Sequence, residues 1–325
     1  MKPKLLVLEL WRVGDLAISA PFLQAASQHF EVTLLAQPVA QSLQPRFFPS
    51  VKVVPFVAPW TAFRHKYRLW DWPWTEILNV CHQLRAEKFD FAVSARWDTR
   101  EHLLMRFFGA RKRLGFPRLG SQIFLTQLLK RLSPLAHRYD DWWVAARAIG
   151  LKMRSRKELP LPPARTERVV MVHTGAALAV RVWPLERYLN IVRRLRNLGF
   201  SVRVACDAGQ RGWWLQHGEE DVSSPQSIEE LLSLLDRCGA CMGNDSGPGH
   251  LAALMGIPTF TIFGPQFPEW FAPLHPASQW MDGKPCPYKQ CFDYCRFPVP
   301  HCLWNITEEE VWPKLEVFIR RHRSA

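Results

Sequence analysis

No stretch of this 325-residue chain is apolar for the run of about 18 residues that a membrane-spanning helix needs. No basic-then-apolar leader precedes the first strand-like run, so the expected compartment is the cytoplasm. No long repeat period runs through the chain, which excludes solenoid architectures. The eight cysteines come without a secretory context, so a disulfide framework is not expected. Acidic residues are scarce in one half only. Residues 1–163 hold 25 Lys/Arg against 12 Asp/Glu, whereas residues 164–325 hold 17 of each. The whole excess of +13 therefore sits in the first half, which suits an anionic partner such as a membrane surface or nucleic acid. The plain alternative is a solvated basic face.

What remains is a globular composition, 48% apolar and 22% charged, with length enough for two cores. Strand and helix patterns alternate. In the first half, strand-like runs at Leu5–Leu8, Glu31–Ala36, Val51–Val57 and Phe89–Ser94 are interleaved with helical patterns after Gly14-Asp15, at Ile77–Ala86, Thr99–Phe108 and Asp140–Gly150. The Pro-rich stretch Leu159-Pro160-Leu161-Pro162-Pro163 interrupts the pattern, and residues 159–166 read as a linker. Alternation then resumes: strands at Val169–His173, Phe200–Cys206 and Thr259–Phe263, and helices at Leu185–Asn197, Ser227–Leu235 and Val311–Arg321. Such alternation predicts an α/β protein with parallel sheets.

The stretch Gly243-Asn244-Asp245-Ser246-Gly247-Pro248-Gly249-His250 lies between a buried-strand pattern and a helical one. Glycines let the backbone approach a phosphate, and a helix N-terminus offers free N–H groups to it. The bland alternative is a capped helix, with Asp245 or Ser246 as the cap. Two other segments accompany it: Arg12-Val13-Gly14-Asp15-Leu16 near the start, and His173-Thr174-Gly175 followed by Arg181-Val182-Trp183-Pro184.

In order and spacing these three segments resemble glycosyltransferase family 9, the lipopolysaccharide heptosyltransferases. The resemblance implies a GT-B type α/β fold with two Rossmann-like domains facing across a cleft. Residues 1–158 would be a basic, acceptor-binding domain and 167–325 a donor-binding domain. It implies an inverting transfer of a heptose-like sugar from ADP-heptose, or a related nucleotide sugar, to a lipopolysaccharide core or related glycan. Gly14 would line the acceptor site, and Asp15 beside it would be the base that takes the acceptor's proton; by position alone Asp15 is more readily a helix cap. Arg181, where the family usually has Lys, would stabilise the leaving diphosphate. Thr174, Gly175, Asp245, Ser246, Gly247 and His250 would complete the donor site. Asp207 is a candidate for the ribose-binding acid, and His250 is otherwise a core histidine. The chain departs from the family at Ala176-Ala177, where hydroxyl residues are usual, and at Gln266. No carboxylate pair with metal-ligand spacing accompanies the expected diphosphate site, so the transfer is expected to need no metal. Alternatives are a sugar-nucleotide enzyme with another donor and a catalytically silent binding protein.

Two features lie outside those motifs. Cys286, Cys291, Cys295 and Cys302 are spaced unlike any standard finger; thiolate clusters bind zinc or iron, and a structural metal is one reading, reduced thiols the other. The stretch Trp60–Trp74 interleaves indoles with Arg64, Lys66 and Arg68, a pattern that suits a lipid headgroup region, a phosphorylated, lipid-linked acceptor or nucleic-acid stacking; the plain alternative is a loop whose Trp residues pack on the domain. The expected location is thus cytoplasmic and peripheral on the inner membrane face, with a nucleotide sugar as partner and nucleic acid not favoured.

Overall fold

The computed structural model describes residues 2–62, 68–163, 168–289, 291 and 294–323. The chain divides into two compact units, Met1–Glu158 and Leu159–Ala325.

The first unit runs β1 (Lys4–Glu9), α1 (Val13–His29), β2 (Glu31–Ala36), α2 (Val39–Phe47), β3 (Lys52–Pro55), α3 (Trp74–Ala86), β4 (Phe91–Ser94), α4 (Thr99–Phe107), β5 (Lys112–Gly115), β6 (Gln127–Leu128) and α5 (Arg138–Ala148). Its strands form one parallel sheet in the order β3-β2-β1-β4-β5-β6. The central strand β1 is buried on both faces, which explains its unbroken Leu5-Leu6-Val7-Leu8 run. Helix α1 is buried along most of its length because α5 packs on it as well as the sheet; the Phe22 and Trp142 rings lie 4.8 Å apart.

The second unit repeats the plan: β7 (Val169–His173), α6 (Leu185–Asn197), β8 (Ser201–Ala205), α7 (Ala208–Gln216), β9 (Val222–Ser223), α8 (Ile228–Leu235), β10 (Cys238–Asn244), α9 (Gly247–Leu254), β11 (Thr259–Ile262), α10 (Pro268–Phe271), β12 (Gln279–Met281), α11 (His301–Trp304) and α12 (Glu308–Arg323). Its parallel sheet is ordered β12-β11-β10-β7-β8-β9. Ser227 caps α8 by accepting the Glu230 N–H at 3.2 Å, as its spacing predicts. Helix α12 closes the core with Val311, Leu315, Phe318 and Ile319, a single stripe at helical spacing.

In each sheet the chain starts at a central strand, builds outward to one edge, then crosses back and builds to the other. The neighbouring pairs β1/β4 and β7/β10 are therefore the points where the winding reverses. In open parallel sheets of this order, ligands bind just beyond the carboxyl ends of those two strands.

Some expectations shift. The expected strand Val51–Val57 is confined to β3, and the helix after the Asp245 stretch begins within it, at Gly247. Trp60 does not face a lipid; it is buried against Phe56 and Trp72, and the Arg100 guanidinium lies over its ring. Trp70 and Trp74 are exposed. Of the candidate acceptor cations, Arg68 is exposed, while Arg64 and Lys66 lie outside the described residues, as does the last part of the linker. Among the described residues no helix is long and apolar enough to cross a membrane.

Candidate active site

In the first unit the chain leaves β1 at Glu9 and enters α1 after Trp11 and Arg12. Asp15 is not the N-cap, which is Arg12; it lies in the first turn, where the helix dipole favours a carboxylate. Gly14 beside it is buried. Two residues past the end of neighbouring β4, Arg96 reaches across and ion-pairs Asp15, its guanidinium lying 4.7 Å from the Trp11 ring centroid. Asp15 thus stands at the winding reversal of the first sheet.

Beneath this pair lies a buried charge network. Glu9 is 1% exposed; burial pushes its carboxyl up to about 7, against the pull of Arg96. Glu101 is fully buried and accepts from Ser94 Oγ at 2.5 Å and from the Trp11 indole at 3.0 Å. Burial, then the nearby Asp98 and Glu9 charges, push it up to about 8. Both acids therefore keep their protons to higher pH than ordinary carboxyls do. Arg138 bonds Asp141 at 2.7 Å and the Ala95 carbonyl at 2.9 Å, and Arg131 bonds Asp141 at 2.9 Å. Arg96, Glu9 and Glu101 were not legible from the motifs. The one available signal was Glu9, a charge ending an apolar strand.

In the second unit the corresponding reversal is built from amides and hydroxyls. Asn244, the last residue of β10, accepts from the Trp183 N–H at 3.0 Å and the Tyr188 hydroxyl at 2.8 Å, and donates to the Thr174 carbonyl at 2.9 Å. This one side chain ties the ends of β10 and β7 to the start of α6, a role not foreseen. Thr174 is fully buried; its hydroxyl donates to Gln210 at 2.9 Å and accepts from the Trp214 indole at 3.3 Å. It is engaged by protein on both sides and anchors the loop. Gly175 has no room for a side chain, since a Cβ there would stand 2.2 Å from Asp207 Oδ1. Asp207 accepts the Ala176 N–H at 3.0 Å, and burial raises its carboxyl above the ordinary range. The Asp207 carboxylate therefore packs directly under the departing loop.

Arg181 ends a short 3-10 turn and its Nη1 lies 3.2 Å from Asp245 Oδ2. Asp245 is held in turn by its own N–H, which donates to the Ile262 carbonyl at 3.1 Å. Ser246 occupies the N-cap position of α9 without a side-chain cap bond, and its hydroxyl donates to the Asn244 carbonyl at 3.3 Å. Gly247, Pro248 and Gly249 form the first turn; the N–H groups of Gly247 and Gly249 have no intrahelical acceptor, and Pro248 carries none. His250 is buried within α9. His173, at the end of β7, is pulled down to about 4 by burial and stays neutral. Arg181, Asp245 and the N-terminus of α9 thus come together, and Gly175 with Asp207 lines the adjacent strand end.

Cys286, Cys291, Cys295 and Cys302 line one small cavity with His301, Val180 and Pro265. Burial and the three neighbouring thiols push Cys302 up to about 11. Among the described residues, however, no three Cys, His, Asp or Glu side chains are placed as a metal's ligand set. Cys238 and Cys241 are buried core residues.

The sequence profile of glycosyltransferase family 9 (heptosyltransferase) matches residues 77–297. Lipopolysaccharide heptosyltransferase 1 of Pseudomonas aeruginosa is 29% identical over 147 residues, 44% of this chain and 39% of that protein. The alignment thus spans well under half of that relative's length. The E. coli heptosyltransferase WaaC, solved with ADP, superposes with a TM-score of 0.72 at 17% identity, over 97% of this chain and 99% of that one. A glycosyl transferase family 9 protein from Veillonella parvula gives 0.75 at 17% identity, over 99% and 98%. At these identities the structural likeness shows the α/β fold of two Rossmann-like units.

Proposed function

We propose, from the premise that this chain belongs to glycosyltransferase family 9, that it transfers a heptose-like sugar from ADP-heptose or a related nucleotide sugar to a lipopolysaccharide core or related lipid-linked glycan. The observation that carries this reading is the placement of the two motif clusters. Asp15 stands beyond β1/β4, and Arg181, Asp245 and the α9 N-terminus stand beyond β7/β10, each at the reversal where such sheets bind ligands.

In this reading the second unit holds the donor. The first-turn N–H groups of α9 and the Arg181 guanidinium take the diphosphate, and Asp245 fixes Arg181 for that task. His250 and Ser246 shape the turn. Thr174 and Gly175 hold the neighbouring loop, with Asp207 beneath it as candidate ribose acceptor. The first unit binds the acceptor through its cations, Arg64, Lys66 and Arg68 among them. Asp15 removes the proton of the attacking hydroxyl, whose oxygen bonds to the anomeric carbon with inversion as the nucleoside diphosphate departs. The negative charge that develops on the leaving group is met by Arg181 and the helix dipole, and no step is assigned to a metal. The protein works at the cytoplasmic face of an anionic membrane, where a lipid-linked acceptor lies.

The sugar nucleotide is tested by calorimetric titration with ADP-, UDP- and GDP-sugars, followed by transfer assays with the donors that bind. Tight binding of ADP-heptose with turnover supports the proposal. Preference for another nucleotide replaces the donor, and binding with no transfer to any glycan leaves the silent-binder reading, to which Ala176-Ala177 lends some support. A structural zinc or iron at Cys286, Cys291, Cys295 and Cys302 would require the thiols to draw together. Elemental analysis of the purified protein decides it: about one metal per chain supports the site, and none removes it.

A further inference from the structure

We propose that the segment 118–135 of the first unit is its docking face for an anionic phospholipid bilayer, inserting Leu119, Ile123 and Leu132 among the lipids. The proposal rests on the membrane-face reading above and narrows it to one segment, separate from the Trp60–Trp74 stretch.

The first observation is apolar exposure. Buried Ser121, Leu125, Leu129 and Ala136 pin the segment to the sheet, and the N–H groups of Thr126 and Leu129 donate to the Arg113 and Gly115 carbonyls at 3.0 and 2.9 Å. The core's need is met by those anchors. Yet Leu119, Ile123 and Leu132 are 85%, 73% and 62% exposed, and Leu128 and Leu135 are exposed too. Isolated exposed leucines are ordinary, but five within 17 residues mark an interaction surface. Leu119 also sits at φ +50°, a left-handed conformation that a leucine adopts at a cost, and its side chain gains no buried contact in return.

The second, independent observation is charge. Residues 102–139 contain eight Lys/Arg and not one Asp or Glu. Arg118 and Lys130 lie exposed on the segment itself, among its exposed apolar side chains. An acid-free cationic stretch is attracted to an anionic surface, and aliphatic side chains then add apolar burial at the headgroup boundary. Nucleic acid fits less well, because single-strand binding uses aromatic platforms and the exposed apolar side chains here are aliphatic. A second copy of the chain would bring like charge against like charge.

The test is co-sedimentation of the full chain with vesicles of phosphatidylcholine, alone or mixed with phosphatidylglycerol. The wild type is expected to bind the mixed vesicles and to leave pure phosphatidylcholine largely unbound. The triple variant Leu119→Ser/Ile123→Ser/Leu132→Ser should need at least about tenfold more lipid for half-binding, as should Arg118→Glu/Lys130→Glu. Leu161→Ser, an exposed apolar position of the second unit, should bind as the wild type does. Thermal unfolding at the wild-type midpoint confirms that the variants are folded. Wild-type binding that both the triple and the charge variant retain overturns the segment assignment and leaves the membrane reading standing. Failure of the wild type to bind mixed vesicles overturns both. Lipid-independent oligomers that the triple variant breaks into monomers overturn the assignment in favour of self-association.

Discussion

The first and second units share a strand order and place their candidate residues at the same topological point, but fill it with different chemistry. The first unit uses formal charge: Asp15 against Arg96, above two buried acids whose protons are held to higher pH than usual and the Arg138–Asp141 pair. The second uses mostly neutral groups: Asn244 knots two strand ends together, and among the described residues the charge pair at the reversal is Arg181 with Asp245. The difference matches the proposed division of labour. A base acting on a hydroxyl needs a carboxylate whose position and charge are held by neighbours. A diphosphate site needs free backbone N–H groups, and an amide scaffold can shape a loop without competing electrostatically for the ligand.

Breaking the comparison at Asp15 should give the largest effect. Asp15→Asn is expected to lower transfer by about 10²–10⁴-fold while donor affinity, a property of the other unit, stays within twofold of the wild type, about the error of a titration. Transfer at the unmutated rate removes the base assignment. At the matching position of the second unit the signature should invert. Arg181→Ala is expected to weaken donor binding by roughly 10- to 100-fold, the worth of a charge-assisted hydrogen bond, and Arg181→Lys by less. Equal donor affinity in all three proteins, measured by calorimetry, would mean that the guanidinium does not touch the diphosphate.

A smaller effect tests the packing under the donor loop. Gly175→Ala places a Cβ against Asp207 and should destabilise the protein by about 1–3 kcal/mol, seen as a lower denaturation midpoint. Adding Asp207→Ala should recover part of that loss; no recovery would locate the strain elsewhere. Per pH unit, the smallest expected effect sharpens the contrast in charge. Glu101 binds its proton more tightly in the folded state than in the unfolded chain. Its contribution is therefore complete below the ordinary carboxyl range and is lost as pH rises through about 8. Stability should fall over that window, by at most about 1.4 kcal/mol per pH unit for each such proton, and Glu101→Gln should flatten the slope. An unchanged slope in chemical denaturation series from pH 5 to 9 would show that Glu101 is ionised throughout.

Much of the site was legible in the chain because its parts are local. Gly14-Asp15 and Asp245-Ser246-Gly247-Pro248-Gly249 advertise strand-to-helix turns, where turn chemistry is written in adjacent residues. Gly175 was legible as a motif residue, yet the reason for it, the Asp207 carboxylate 32 positions on, was not. Trp60 shows the opposite failure: interleaving with cations looks the same along the chain whether an indole faces lipid or, as here, packs on Phe56 and Trp72.

The amino-acid sequence by itself determined the α/β alternation, the uneven charge and the identity of the turns, since hydrophobic period, composition and glycine placement act over a few residues. Only the tertiary structure decided which strands are neighbours. The two-residue strands β6 and β9 carry no periodic signal and exist because an edge was there to pair with. The same sheet order brings Arg96 to Asp15 across 81 positions, and Asn244 to Thr174 across 70. Ion pairs and buried amide bonds depend on distance in space, and distance in space is set by the winding of the whole sheet.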